Sequence, residues 1–372
     1  ERYTSFKVKM KYGFFWYYLE ENTKKPIIEE EKEYPCKYID PSKNNDYLFK
    51  VTYFDKKINI DIFHALTDGG SGVTFFREIV YVYLELAHKD VFNANERLTR
   101  KIEDYTEDSY LKNYNKHTKG NSSSQKAYIL KGNKISLGAV SAIHEIIDLN
   151  QLKEECEKNE ATITQYLTAV LIYSIYEENY KKSKSNKPIK VCIPVNLKKY
   201  FPSKTMSNFF SYITLIAEME KDNLKSFEKI LEFVKSDFKK RLTEEEILKT
   251  MSANVKLGVN PFIKMIPLEL KKLLVRLSYI EIRKYTTITF SNIGRIGIIG
   301  KYKDYIEEFL MLIAPEPVEK IKCSGCTFEN KMVFTFTSIL KDNSIEKRFY
   351  EFLKQKGINV QIESNGVLDD IS

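Results

Sequence analysis

Apolar and polar positions change period several times along the chain, and each change marks an element. Residues 6–20 are rich in Phe, Tyr, Trp and Val and read as extended, followed by a charged loop over 21–42 broken by Pro26 and Pro35. Residues 47–54 and 58–63 alternate around Asp55-Lys56-Lys57, which predicts a β-hairpin whose second strand ends at His64. Val73, Phe76, Ile79, Val80, Tyr83 and Leu84 then make one apolar stripe, predicting a helix over 72–87. From 93 to 125 the chain is polar, ending in Lys119-Gly-Asn-Ser-Ser-Ser124, the composition of a linker.

Beyond it the pattern predicts strands at 127–130 and 142–148, a helix opening at Asp148 or Asn150, and a longer helix over 162–178. Strands at 190–196 and 209–217 come next, then three amphipathic helices near 224–241, 243–255 and 268–281. Strands at 286–291, 307–313, 319–328 and 331–338 and a closing helix over 345–356 complete the chain. No fixed repeat is present. Strands and helices mix without strict βαβα alternation, so the expected class is α+β, with mixed sheets flanked by helices in two halves, 1–125 and 126–372. A doubly wound sheet is not expected.

Composition narrows the function classes. A chain of 372 residues with 25 Tyr and 23 Phe has the length of about two domains and the aromatic content of packed cores. No apolar run approaches the ~20 residues that span a bilayer, so no stable membrane insertion is expected. Five Cys at irregular positions make no disulfide framework, which favours a reducing cytoplasm; a chain that starts at Glu1 leaves a preceding signal segment open. The net charge of +8 attracts phosphates of any kind. The charges are nevertheless interleaved, as in Glu29-Glu-Glu-Lys-Glu33, which is a solvated surface more than a nucleic-acid groove.

The most informative stretch is Ile60-Asp-Ile-Phe-His64-Ala-Leu-Thr-Asp68-Gly69-Gly70-Ser-Gly72. A strand delivers a histidine, a glycine turn follows, and a helix leaves. An imidazole with a pKa near ~6.5 can take and return a proton at neutral pH. Asp68 is close enough to orient the loop or the ring, and Gly69 and Gly70 let main-chain N–H groups approach a substrate. The same residues also fit a strand end and a helix cap, for which Asp-Gly-Gly is common turn chemistry.

His64-Ala-Leu-Thr-Asp68-Gly69-Gly70-Ser71 resembles the HxxxDG motif of the CoA-dependent acyltransferase superfamily, which includes chloramphenicol acetyltransferases, condensation domains and alcohol acetyltransferases. Thr287-Ile-Thr-Phe-Ser291-Asn292-Ile-Gly294 resembles a strand-borne element of bacterial alcohol acetyltransferase-like members. Cys192-Ile-Pro194-Val-Asn196-Leu197, followed by Asn208-Phe-Phe-Ser211, is similar to their central segment. The three matches stand in the right order. Condensation domains carry two adjacent histidines, and Phe63 occupies the first position, which disfavours peptide-bond formation. The family's N-terminal strand and first helix would lie ahead of Glu1.

The resemblance implies two chloramphenicol-acetyltransferase-like halves with a tunnel between them, acyl-CoA as co-substrate and no permanently bound cofactor. It implies that His64 is the general base, that Asp68 supports the turn, and that an arginine, for which Arg295 is the candidate, holds Asp68. Gly69 joins the catalytic set through its N–H. Gly70, Ser211 and Asn292 are the candidates to bind substrate or its oxyanion. A monomer suffices, because one chain supplies both halves. Acyl transfer to a small or lipophilic alcohol is the leading expectation, with transfer to an amine, condensation chemistry or a non-catalytic ligand carrier as alternatives. Cys323-Ser-Gly-Cys326 has redox and zinc spacing but no second pair, so no metal is expected. His88, His117 and His144 lack partner motifs.

Overall fold

The computed structural model describes residues 3–33, 35–92, 106–118 and 125–368. Strands β1 (Val8–Tyr12) and β2 (Tyr17–Glu21) form a hairpin from the aromatic opening segment. A three-stranded sheet follows, from β3 (Ile28–Glu30), β4 (Phe49–Phe54) and β5 (Lys57–Ile62). Antiparallel β4 and β5 turn at Asp55, which takes a φ of +48° that aspartate tolerates better than most residues. β3 lies inside the stretch expected as loop and runs parallel to β4; its Ile-Glu-Glu composition carries little strand signal.

Helix α1 (Gly69–Ala87) joins the two parts of the molecule. Phe75 and Ile79 pack towards Phe49 and Val51 of the small sheet, with Phe75 stacked on Phe6 at 4.0 Å between ring centroids. Val73 and Phe76 pack towards Phe309 and Ile296 of the larger part. The stripe read from the sequence is therefore wide because the helix is buried on two sides. Of the polar stretch 93–125, residues 93–105 and 119–124 lie outside the described residues, and the remainder holds the short helix α2 (Ser109–Lys112).

A seven-stranded mixed sheet organises the rest. Its strands are β6 (Ser141–Asp148), β7 (Ile189–Asn196), β8 (Phe210–Ala217), β9 (Ile288–Arg295), β10 (Ile321–Phe328), β11 (Lys331–Ser338) and β12 (Val360–Ser364). Their order is β12-β6-β11-β10-β9-β7-β8, and β9 runs parallel to both neighbours. The helices are α3 (Leu149–Lys158), α4 (Ile163–Ile175), α5 (Phe227–Arg241), α6 (Glu244–Val259), α7 (Pro261–Met265), α8 (Leu268–Ile282) and α9 (Ser344–Gln355). The helix expected over 162–178 is α4 followed by a π turn, Tyr176–Tyr180.

Alternation gives the sheet two unlike faces. Val191, Ile193, Leu215, Phe290, Phe334 and Phe336 point into the main core, against α4, α5 and α9. α4 is apolar all round and correspondingly buried along nearly its whole length. The opposite face carries Cys192, Pro194, Thr214, Thr289, Ser291 and Lys322, all only partly buried although β7 and β9 are interior strands. On β9 the same face carries Ile293, which packs against Gly69 of the N-terminal part.

Two expected strands do not join a ladder. Residues 127–130 are irregular. Residues 307–313 are extended but cross the polar sheet face, where side chains replace ladder partners. Cys326, Ser324 and Thr337 donate to the carbonyls of Phe309, Met311 and Ile313 at 3.1, 2.5 and 2.5 Å. Every second carbonyl is thus satisfied without a neighbouring strand.

Candidate active site

The chain leaves β5 at Ile62, two residues earlier than the alternation suggests, and His64 lies in the turn that leads to α1. Asp68 is buried, and both of its carboxylate oxygens accept main-chain hydrogen bonds. Oδ1 takes the Ser71 N–H at 2.9 Å, capping α1, and Oδ2 takes the Phe209 N–H at 3.0 Å. Thr67 donates to the Met206 carbonyl at 2.6 Å, and the Lys198 ammonium donates to the Ser71 hydroxyl at 2.7 Å. The turn is thereby fastened to residues 196–210 from the large sheet. Main-chain donors hold Asp68, not Arg295, which sits exposed at the end of β9 opposite Thr327.

His64 is exposed, and Asn208 sets its chemistry. The Asn208 amide nitrogen donates to the His64 carbonyl at 2.7 Å, and its Oδ1 lies 3.2 Å from His64 Nδ1. Because the first bond fixes which end of the amide carries oxygen, Nδ1 must carry the proton and donate. In the neutral ring the lone pair then lies on Nε2, the nitrogen that can act as a base. The Phe210 ring lies 5.2 Å from the imidazole, limiting its rotation on one side.

Next to the imidazole is the start of α1. Asp68 engages the N–H of Ser71 through its carboxylate and that of Gly72 through its carbonyl. The N–H groups of Gly69 and Gly70 remain at the helix end, where the first-turn donors have no partner within the helix. A Cβ at Gly70 would meet the Asn196 amide nitrogen at 3.4 Å, so glycine lets that side chain approach. Gly69 packs beside Ile293 and Met311. The Gly69 and Gly70 N–H groups thus belong to the segment that carries His64, and the Asn196 amide at the end of β7 borders Gly70.

Ser211 and Asn292 do not join them. Ser211 alternates with Phe210, so it faces the main core alongside Ile213, and its hydroxyl has no hydrogen-bond partner. Asn292 donates to Thr164 at the start of α4 at 3.0 Å and accepts the Gly294 N–H at 2.9 Å. Its neighbour Ile293 is the residue that reaches Gly69. Motif spacing could not assign these faces, because a one-residue shift reverses every side chain of a strand. Asn196 and Asn208 are the functional candidates missed, although both lie within the stretches that carry the resemblance.

Cys192 stands four residues before Asn196, roughly 13 Å along the strand. Burial pushes its thiol up to about 12, which disfavours the thiolate. Lys322 reaches Glu316 at 2.7 Å and Glu319 at 3.6 Å, and burial raises the Glu319 carboxyl. A separate pocket of about 250 Å³, lined by Asn150, Lys153, Arg295 and Glu329 among others, includes none of the residues around His64. Among the described residues, no three His, Cys, Asp or Glu side chains gather where a metal could bind. Cys323 and Cys326 point to opposite faces of β10, one into the main core and one towards Phe309.

Residues 113–296 match the family model described as alcohol acetyltransferase. No curated protein sequence matches. Among solved structures, the chain is similar to TRI101 of F. graminearum, a structure complexed with coenzyme A and T-2 mycotoxin. The TM-score is 0.59 at 10% identity, over 96% of this chain and 88% of that one. It is also similar to the epimerization domain from the third module of tyrocidine synthetase B, with TM-score 0.56, 11% identity and coverage of 95% and 85%. A third is the TRI3 trichothecene 15-O-acetyltransferase of Fusarium sporotrichioides, with TM-score 0.52, 8% identity and coverage of 85% and 71%. At these identities the likeness establishes the fold: the two-lobed architecture shared by acyltransferases and condensation-type domains.

Proposed function

We propose that this chain, which carries an alcohol acetyltransferase segment on the two-lobed acyltransferase and condensation fold, transfers an acyl group from acyl-CoA to a small or lipophilic alcohol. The observation that carries the reading is the Asn208 clamp, which holds Nδ1 of the exposed His64 ring and makes Nε2 the basic nitrogen of the neutral imidazole. Nε2 takes the proton of the acceptor hydroxyl as its oxygen attacks the thioester carbonyl. The negative charge that forms on the carbonyl oxygen is met by the N–H groups of Gly69 and Gly70 and the Asn196 amide. Donors so placed are typically worth ~3–4 kcal/mol in the transition state. The C–S bond then breaks, and the CoA thiolate takes the proton back from Nε2.

In this mechanism Asp68 is a positioning residue that holds the turn, Gly70 borders the substrate, and Ser211 and Asn292 have no part. One chain with halves 1–125 and 126–372 supplies every group, so a monomer suffices, and neither a metal nor a permanently bound cofactor is invoked. Cys192 stands roughly 13 Å along β7 from Asn196, so direct attack within a ternary complex fits better than a thiol-bound acyl intermediate.

The test is release of free CoA thiol from acetyl-CoA, and from longer acyl-CoAs, with a panel of alcohols. Release should depend on the acceptor and fall by roughly 10²–10⁴-fold in His64→Ala. Equal turnover by His64→Ala and the parent would end the assignment of the base.

A further inference from the structure

The pocket of about 250 Å³ that stands apart from His64 has the make-up of an anion site. It lies outside the carboxyl ends of β6, β9 and β10, which run in one direction and stop at Asp148, Arg295 and Phe328. β7 shares that direction, and its last residue, Asn196, borders Gly70. Pocket and candidate catalytic turn therefore lie at the same end of the sheet. The carboxyl ends of parallel strands are where open sheets hold their ligands.

A β-bulge aims Arg295 into the pocket. Gly325 pairs with Asn292 and Cys326 with Gly294, which leaves Ile293 as one extra residue on β9. Regular alternation would put Arg295 on the same face as Ile293. The extra residue turns it to the other face, opposite Thr327, where α3 and α4 begin. Asn292 holds this kink in place. Its Oδ1 accepts the Gly294 N–H at 2.9 Å, and its amide nitrogen donates to Thr164 in the first turn of α4 at 3.0 Å. Gly294 takes a φ of +82°, which favours glycine. A motif residue with no part in the chemistry thus shapes one wall of the pocket.

The wall is positive and its donors are unspent. Lys153 of α3 and Arg295 both line the pocket, and among the described residues neither has a carboxylate partner. Thr162 and Gln165 cap each other at the start of α4, so the N–H groups of Ile163 and Thr164 have no partner within the helix. One carboxylate, Glu329 in the β10–β11 turn, stands against the two cations. Leu149 and Ile163 make the apolar part of the wall. Such a volume, part charged and part apolar, suits a phosphate together with some of the organic group that carries it.

We propose that this pocket binds the phosphate groups of a phosphorylated organic ligand through Lys153, Arg295 and the open end of α4. The identity of the occupant rests on the acyl-transfer function proposed above: the phosphates are those of acyl-CoA, whose thioester reaches the His64 turn from the same end of the sheet.

Isothermal titration calorimetry of the purified chain tests both parts, with CoA and, separately, with adenosine 3′,5′-bisphosphate, which has phosphates but no thiol arm. Both should bind the parent, and more weakly as salt rises. Lys153→Gln/Arg295→Gln, at exposed positions without ion-pair partners, should keep the parent's melting temperature and weaken both ligands by roughly 10–100-fold. Glu329→Gln should tighten both by about two- to fivefold, a gain that a merely structural role would not give. Bisphosphate binding that the double variant weakens, with no binding of CoA, would keep the pocket and remove acyl-CoA as its occupant. CoA binding undiminished in the double variant would overturn the pocket and leave acyl transfer standing. A parent that binds neither ligand would overturn both.

Discussion

Asp68 separates a positioning role from acid–base chemistry. In Asp68→Ala two things are lost at once. Removing the cap of α1 costs about 1 kcal/mol. The Phe209 N–H, donated to Oδ2 at a residue with no exposed surface, is left without an acceptor, which costs about 1–3 kcal/mol more. The expected loss is about 2–4 kcal/mol, a large part of the ~5–15 kcal/mol that stabilises a typical domain. Asp68→Asn keeps one acceptor oxygen but turns an N–H donor towards one of the two main-chain donors, so a loss of about 1–3 kcal/mol is expected. Urea denaturation followed by circular dichroism measures both. Thiol release, normalised to the folded fraction, measures turnover on the same samples. The asparagine variant should lose stability while keeping turnover within about tenfold of the parent, with an unchanged pH profile, because Asp68 touches neither His64 nor the reacting atoms. Turnover reduced by the ~10²–10⁴-fold typical of a lost acid–base group, with unfolding unchanged, would refute this reasoning.

Other outcomes follow from groups that the motif did not single out. Asn208→Ala frees the imidazole and should lower kcat/KM by about 10–100-fold, as loss of a bond worth ~1.5–3 kcal/mol would. Asn208→Asp puts an oxygen against the His64 carbonyl in place of the amide donor, so it should break the clamp and lower kcat/KM at least as far as Asn208→Ala, read from initial rates of thiol release. A pH effect comes from Glu145 on β6 and Glu346 on α9. Both are buried, and none of their carboxylate oxygens has a hydrogen-bond partner. Burial raises both carboxyls, that of Glu346 to about 7. A carboxyl raised in the folded state contributes stability that is complete below its unfolded pKa and is lost as pH rises through the folded one. Glu346→Gln should therefore match the parent near pH 4.5 and gain on it by about 1.4 kcal/mol per pH unit up to pH ~7, read from urea midpoints across that range.

How much of this was legible in the sequence varies by element. Apolar periodicity located α1, α4 and α9 to within a few residues, because their stripes are wide and their cores deep. Alternation located β4 to β8 and β9 to β11 for the same reason. The three-residue β3 and the mostly exposed β12 carry too little burial to leave a pattern. Residues 307–313 look like a strand because they are extended and partly buried, yet their carbonyls are satisfied by Cys326, Ser324 and Thr337 across the sheet face. Periodicity reports extension and burial and does not report which groups answer the main chain.

The site divides the same way. The order strand, His64, Asp68, two glycines, helix is a local arrangement, and local geometry follows from residues adjacent in sequence. The partners of that turn come from Met206, Asn208 and Phe209, some 140 residues downstream. Which nitrogen of His64 carries the proton, which main-chain donors hold Asp68, and the fact that Ser211 and Asn292 face away are consequences of how β7, β8 and β9 are registered against one another. α8 was visible as an amphipathic helix, but only its docking through Leu268 and Lys271 decides that its other leucines meet solvent. Sequence determines which residues can act, because chemistry belongs to side chains. Tertiary structure decides which ones meet, because contacts between distant segments depend on strand register and packing that no local pattern encodes.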